Sequence, residues 1–148
     1  MRIITVFILL SIALFSCKTY SEEDKKHFDQ QIQDYLKKEK KTCQRSSSGL
    51  YYTIIEEGVG EPIRYSDIVS FTYKGTLLNG KVFDEQTEPV EFEVRQLIGA
   101  WKEIMLELKP GGKAFLVAPP HLGYGEHELD KIPAHSVLIF ELEVKNVR

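Results

Sequence analysis

In the middle of the chain, Leu97, Ile98, Trp101, Ile104, Met105 and Leu108 recur at intervals of three and four. That spacing lays one apolar stripe along a helix and predicts one over residues 96–108. Lys102, Glu103 and Glu107 fall off the stripe, and Pro110-Gly111-Gly112 stops the helix. On either side the period falls to two. Val69, Phe71 and Tyr73 alternate within residues 68–78, and Val90, Phe92 and Val94 alternate further on. Residues 50–57, 113–118 and 136–147 are also strand-like, rich in apolar and β-branched side chains. Asn79-Gly80 is the sharpest turn signal: both residues tolerate positive φ, so a tight two-residue hairpin returns the chain through Lys81-Val82-Phe83-Asp84. Strands, one helix, then strands predict an α+β fold, an antiparallel β-sheet of about five strands wrapped around one short α-helix. The sheet must cover the stripe, which puts Trp101, the lone tryptophan, at the base of its concavity.

The start of the chain follows a different pattern. After Met1-Arg2 the residues to Phe15 are almost purely apolar, too short a run to span a bilayer comfortably and suited to a signal-peptide core. Leu14-Phe15-Ser16-Cys17 resembles a bacterial lipobox, where cleavage before the cysteine leaves it as the lipid-modified first residue. The expectation is a lipoprotein signal peptide over 1–16, lipidation at Cys17, and anchoring to a bacterial membrane in the cell envelope, facing the periplasm or in the outer membrane. Ordinary secretion, with Cys17 discarded or paired to Cys43, is the alternative. Residues 21–41 are dominated by charge, with Glu22, Glu23 and Asp24 early and Lys37, Lys38, Lys40 and Lys41 late, an order that suits a helix dipole. Ser21 is placed to cap this helix. Phe28, Ile32, Tyr35 and Leu36 form a narrow apolar strip on it, open to docking, to pairing with a second copy or to mobility. The favoured reading is a charged helical spacer and linker over 17–48, ahead of a domain over 49–148.

Composition narrows the function. The chain has 148 residues, 43% hydrophobic and 28% charged, which fits one domain plus an extension. A net charge of −3 with no clustered basic face argues against nucleic acid. Two cysteines make no disulfide framework. Nothing in the domain forms a serine–histidine–acid set, and Cys43 lies in the linker. His121, His127 and His135 match no common zinc spacing, so no metal is expected. What accumulates instead is an aromatic and aliphatic set with one acid: Tyr73, Phe83, Asp84, Leu97, Ile98, Trp101, Tyr124, Ile132 and Phe140. Such a set suits a concave apolar ligand site as well as a packed core.

Five stretches carry a resemblance: Thr72-Tyr73-Lys74-Gly75, Asn79-Gly80-Lys81-Val82-Phe83-Asp84, Leu97-Ile98-Gly99-Ala100-Trp101, Leu122-Gly123-Tyr124-Gly125, and Ile132-Pro133-Ala134 followed by Val137-Leu138-Ile139-Phe140-Glu141. In order and spacing they resemble the FKBP-type peptidyl-prolyl cis/trans isomerases, over roughly residues 49–148. Together with the leader and lipobox, the single domain looks like the gliding-motility-associated lipoprotein branch. The resemblance implies an isomerase of X-Pro bonds without cofactor, acting on proline-containing polypeptides and assisting their folding, with macrolides as potential inhibitors and a monomeric state. It implies Trp101 as the floor, Tyr73, Phe83, Leu97, Ile98, Tyr124 and Phe140 as walls, Val90 at a further wall position, and Ile132 overhanging. Ile98 would offer its backbone N–H to a substrate carbonyl, and Asp84 and the Tyr124 hydroxyl would supply polar contacts. Val90 where an aromatic is common, Lys131 where an apolar residue often precedes Ile132, and Ala100 for the usual glycine depart from the pattern, which bears on macrolide affinity. Val90 and Lys131 also keep open a chaperone-like binding module with little turnover.

Overall fold

The structure is a computed structural model, and it describes residues 20–148. In chain order these form helix α1 (Glu22–Lys38), strands β1 (Gln44–Arg45), β2 (Tyr51–Glu56), β3 (Ile68–Leu77) and β4 (Val82–Glu93), helix α2 (Gly99–Met105), and strands β5 (Lys113–Ala118) and β6 (Leu138–Val147). Short 3-10 turns occupy Val94–Gln96 and Pro120–Leu122. All six strands join one antiparallel sheet in the order β1-β2-β5-β6-β3-β4. The expected architecture is therefore the observed one, with β1 added from what reads as linker. No helix among the described residues is long and apolar enough to cross a membrane.

Alternation along the strands sends side chains to two different cores. On β5 and β6, Ala114, Leu116, Leu138, Phe140, Leu142 and Val144 join the cluster around α2. Their neighbours Phe115, Val117 and Ile139, with Val137, face the opposite side and pack with Phe28, Ile32 and Leu36 of α1. Of the three fates open to that strip, docking is the one realised, and the helix does not stand off the domain as a spacer in the described structure. Each fully buried aliphatic side chain contributes about 1.5–3 kcal/mol by leaving water, which outweighs the weak exposed charge pairs along α1. Ser21 caps α1 as expected, in a reciprocal capping box with Asp24, and Glu22 pairs with Lys25 at 2.7 Å.

Helix α2 is shorter than the stripe that predicts it. Leu97 and Ile98 are extended, Ile98 serving as N-cap, and the chain tightens after Met105 into turns that bond Glu107 to Ile104 and Leu108 to Met105. Leu97, Trp101, Ile104, Met105 and Leu108 are nevertheless all buried, because a 3-10 turn and an extended pair present the same face to the core. The two short strands expected around 81–84 and 90–94 are one long edge strand. Its register slips between the pairs Tyr73–Gln86 and Phe71–Val90. The surplus residues there include Pro89, which has no N–H to donate and so suits a bulge on an edge. The hairpin is present, but only Gly80 of its turn has positive φ, +83°. Gly80 N–H bonds to the Leu77 carbonyl at 2.8 Å, a type I turn closed by a glycine bulge instead of the tight two-residue form.

Candidate functional site

Trp101 sits on the first turn of α2, under β3 and β6. Three rings meet its indole edge-on: Tyr73 at 4.7 Å between centroids, Phe140 at 5.0 Å and Phe71 at 5.2 Å. Such pairs add about 0.5–1.5 kcal/mol each beyond area burial, and together they fix the indole plane. Phe83, from β4, stands perpendicular to Phe140 at 5.6 Å. Leu97, Ile132, Phe83 and Trp101 all belong to the α2-side core, with Val90, Ile98 and Tyr124 half-buried against it.

Exposure is uneven across that core. Ala100, Ile104, Met105, Leu108 and Leu116 are at 0%, whereas Phe83 keeps 6%, Ile132 6%, Leu97 7% and Trp101 8%. Of the core residues grouped in the sequence as a ligand site, these four keep a little exposure and Phe140 keeps 1%, while Leu77, outside that set, keeps 8%. The Trp101 Nε1 N–H is buried, with no hydrogen-bond partner among the described residues. The Ile98 N–H also donates to no acceptor among the described residues, since Ile98 is the N-cap and only its carbonyl is engaged, by Trp101 and Lys102.

The polar rim is formed by two phenols and a carboxylate. Tyr73 donates its hydroxyl to Asp84 in a short hydrogen bond across the β3–β4 pair, and Asp84 itself is exposed. Burial, then the Asp84 hydrogen bond and charge, push the Tyr73 phenol well above its usual range. Burial and the Asp84 charge also raise Tyr124. Both phenols therefore stay protonated and serve as donors, with Asp84 as an acceptor.

Two residues outside the expected set complete the geometry. Phe71 carries the same period-two signal as Tyr73 and packs on the indole's edge. Gly75 lies beneath the Phe83 ring: a Cβ there would fall 2.5 Å from Phe83 Cε2, closer still to Cζ, and 3.1 Å from Phe140 Cε1. A glycine in a strand interior signals such a close approach, although the sequence does not say which ring approaches. His121 and His135 are engaged elsewhere, with Ser48 and Tyr20. Cys17 lies outside the described residues, and Cys43 is a half-buried free thiol accepting from the Thr53 hydroxyl at 3.4 Å.

Comparison with known proteins gives a consistent result. Residues 60–145 match the family described as FKBP-type peptidyl-prolyl cis-trans isomerase. The chain is 37% identical over 138 residues to FkpA, an FKBP-type peptidyl-prolyl cis-trans isomerase of Escherichia coli K12, covering 90% of this chain and 51% of that protein. A probable FKBP-type isomerase of Haemophilus influenzae is 44% identical over 111 residues, 72% of this chain and 46% of that one. The chain thus spans about half the length of these curated relatives. The crystal structure of Escherichia coli FkpA superposes with a TM-score of 0.74 at 38% identity, over 86% of this chain and 62% of that one. AtFKBP13 superposes with a TM-score of 0.66 at 30% identity, over 72% of this chain and 99% of that one.

Proposed function

Because this chain belongs to the FKBP-type peptidyl-prolyl cis-trans isomerase family, we propose that it catalyses rotation about X-Pro bonds in polypeptides of the cell envelope and so assists their folding. Amide resonance opposes that rotation with a barrier of about 18–20 kcal/mol, and the unaided step takes tens to hundreds of seconds. In the twisted transition state the resonance and its charge separation are lost. An apolar hollow that withholds water from the carbonyl favours the twisted form over the planar one, so binding is tightest halfway through the turn. The proline ring rests on Trp101 between Phe83, Tyr73 and Phe140, Leu97 and Val90 complete the apolar lining, and Ile132 overhangs. The free Ile98 N–H holds the substrate carbonyl preceding the turn. Tyr124 donates a further bond, and Asp84 orients Tyr73 without transferring a proton. The route is non-covalent throughout.

The observation that supports this reading is the indole itself, held by three edge-on rings and still 8% exposed, with Leu97, Phe83 and Ile132 of the same core at 6–7%. Turnover of a short X-Pro peptide, read by protease cleavage of its trans form, is the test. Acceleration over the uncatalysed rate, suppressed by Phe83→Ala in a folded protein, is expected. Peptide binding without acceleration would overturn it in favour of a chaperone-like binding module.

Anchoring belongs to the same proposal. The apolar leader and the Leu14-Phe15-Ser16-Cys17 run support lipidation at Cys17, with lipid labelling and membrane fractionation both lost in Cys17→Ala. Association with gliding motility, a monomeric state and weak macrolide binding complete the reading, the last because Val90 supplies less wall than an aromatic ring.

A further inference from the structure

The loop between β5 and β6, residues 119–137, carries both Tyr124 and Ile132 and is longer than connections in a compact domain usually are. It is braced by a few backbone bonds, among them Gly125 to Pro120 at 2.9 Å, His127 to Tyr124 at 3.0 Å and His135 to Gly125 at 2.8 Å. Most of its side chains from Gly125 onward face water, so local opening costs little unless something outside the loop restrains it.

Tyr20 supplies such a restraint. Its ring stands perpendicular to Phe28 of α1, 5.2 Å between centroids, and Phe28 is buried against the sheet. On its other side the ring meets His121 at 6.4 Å and His135 at 5.7 Å, one on each limb of the loop. The hydroxyl lies 2.9 Å from His135 Nδ1 and is also 3.8 Å from the point where a Cβ on Gly125 would stand. Elsewhere the first turns of α1 are separated from the loop by a groove of about 840 Å³, which Lys25, Lys26, Gly123 and Tyr124 help to line. Tyr20 spans that gap.

We propose that Tyr20 is a positioning residue: by clasping both limbs of the 119–137 loop to the docked helix α1, it holds Tyr124 and Ile132 at the hollow and sets the affinity for substrate. The proposal rests on the isomerase reading for its consequence, though the clasp can be measured apart from it. A loop that is ordered only part of the time weakens apparent binding in proportion to the ordered fraction, so loss of the clasp moves KM more than kcat.

The test uses the full chain with Tyr20→Phe, Tyr20→Ala and, at the far end of the same helix, Leu36→Ala. Tyr20→Ala is expected to raise KM for an X-Pro peptide about five- to tenfold with kcat within about twofold, the scale of one hydrogen bond plus a ring contact. It should also speed amide exchange at His127 and His135 by about tenfold or more. Tyr20→Phe should fall between it and wild type, and Leu36→Ala should lower the melting temperature without moving KM. An unchanged KM in Tyr20→Ala, or an equal rise in KM in Leu36→Ala, overturns the proposal. A wild-type chain that turns nothing over defeats the isomerase reading, and the clasp is then decided by loop exchange and proline-peptide binding in the same variants; unchanged exchange in Tyr20→Ala overturns it there.

Discussion

Gly75→Ala isolates the contact on which the wall of the hollow depends. The added methyl carbon would sit 2.5 Å from Phe83 Cε2, whereas carbon atoms rest about 3.5–4.0 Å apart, so the ring must retreat by about 1 Å. It cannot do so freely, because Phe83 is buried and stands perpendicular to Phe140, whose own Cε1 would be 3.1 Å from the same methyl. Overpacking of this kind costs about 1–3 kcal/mol, read as a melting temperature lower by roughly 3–12 °C. Turnover should fall much further than stability, by about ten- to a hundredfold at temperatures where the variant is folded, since a wall displaced by about 1 Å no longer meets the proline ring. Phe83→Leu shortens the obstructing side chain. Combined with Gly75→Ala it should lose less stability than the sum of the two single variants, with a coupling of at least about 1 kcal/mol. Additivity within about 0.5 kcal/mol, or Gly75→Ala at wild-type stability and turnover, would refute the assignment of Gly75 as the seat of the Phe83 ring.

Asp84→Asn keeps an oxygen able to accept from the Tyr73 hydroxyl, so it should reduce turnover only moderately, while Asp84→Ala and Tyr73→Phe, which abolish that bond, should reduce it more and to similar extents; loss of all turnover in a folded Asp84→Asn protein would mean the carboxylate does more than orient. Burial raises the phenols of Tyr20, Tyr35, Tyr51, Tyr52, Tyr73 and Tyr124 above the ordinary value of 10.0. In the unfolded chain they deprotonate near pH 10 while the folded state keeps their protons, so the unfolded state binds fewer protons above that pH. Stability should be full below about pH 10 and fall above it, with a shallower fall in Tyr73→Phe, as followed by urea melts across that range. Ile32→Ala, at the fully buried centre of the α1 contact, should cost about 2–5 kcal/mol in a thermal or urea melt; a loss below about 1 kcal/mol would mean α1 is not part of the cooperative fold.

Much of this architecture is legible from periodicity, because period two and period 3.6 each leave one face for a partner. The α2 stripe marks every residue the core takes from that segment, yet not where the helix begins, since Leu97 and Ile98 are equally apolar in an extended pair. The docking of α1 was harder to see. Phe28, Ile32 and Leu36 make a strip one residue wide, and propensity alone does not say what it meets. The complementary signal lay in β5, where Lys113–Ala118 runs apolar on both faces and so calls for cover on both. The candidate residues stand out as a set through the resemblance, while Gly75 and Phe71 depend on cross-strand register, and the Pro89 bulge changes that register within β4. Tyr20 carries no pattern that points to the loop, since His121 and His135 lie more than a hundred residues away along the chain.

The folding of α1 back onto the sheet also decides how an attached lipid would present the domain. Residues 18 and 19 alone separate Cys17 from Tyr20, and an extended chain advances only about 3.3–3.6 Å per residue, so a diacyl group on Cys17 would hold the headgroup layer within roughly 10 Å of Tyr20. Tyr20 abuts the same loop that presents Tyr124. Tethered in this way, the protein would work flush with the lipid surface, reaching chains that skim or emerge from it, instead of sampling the open compartment from the end of a stalk.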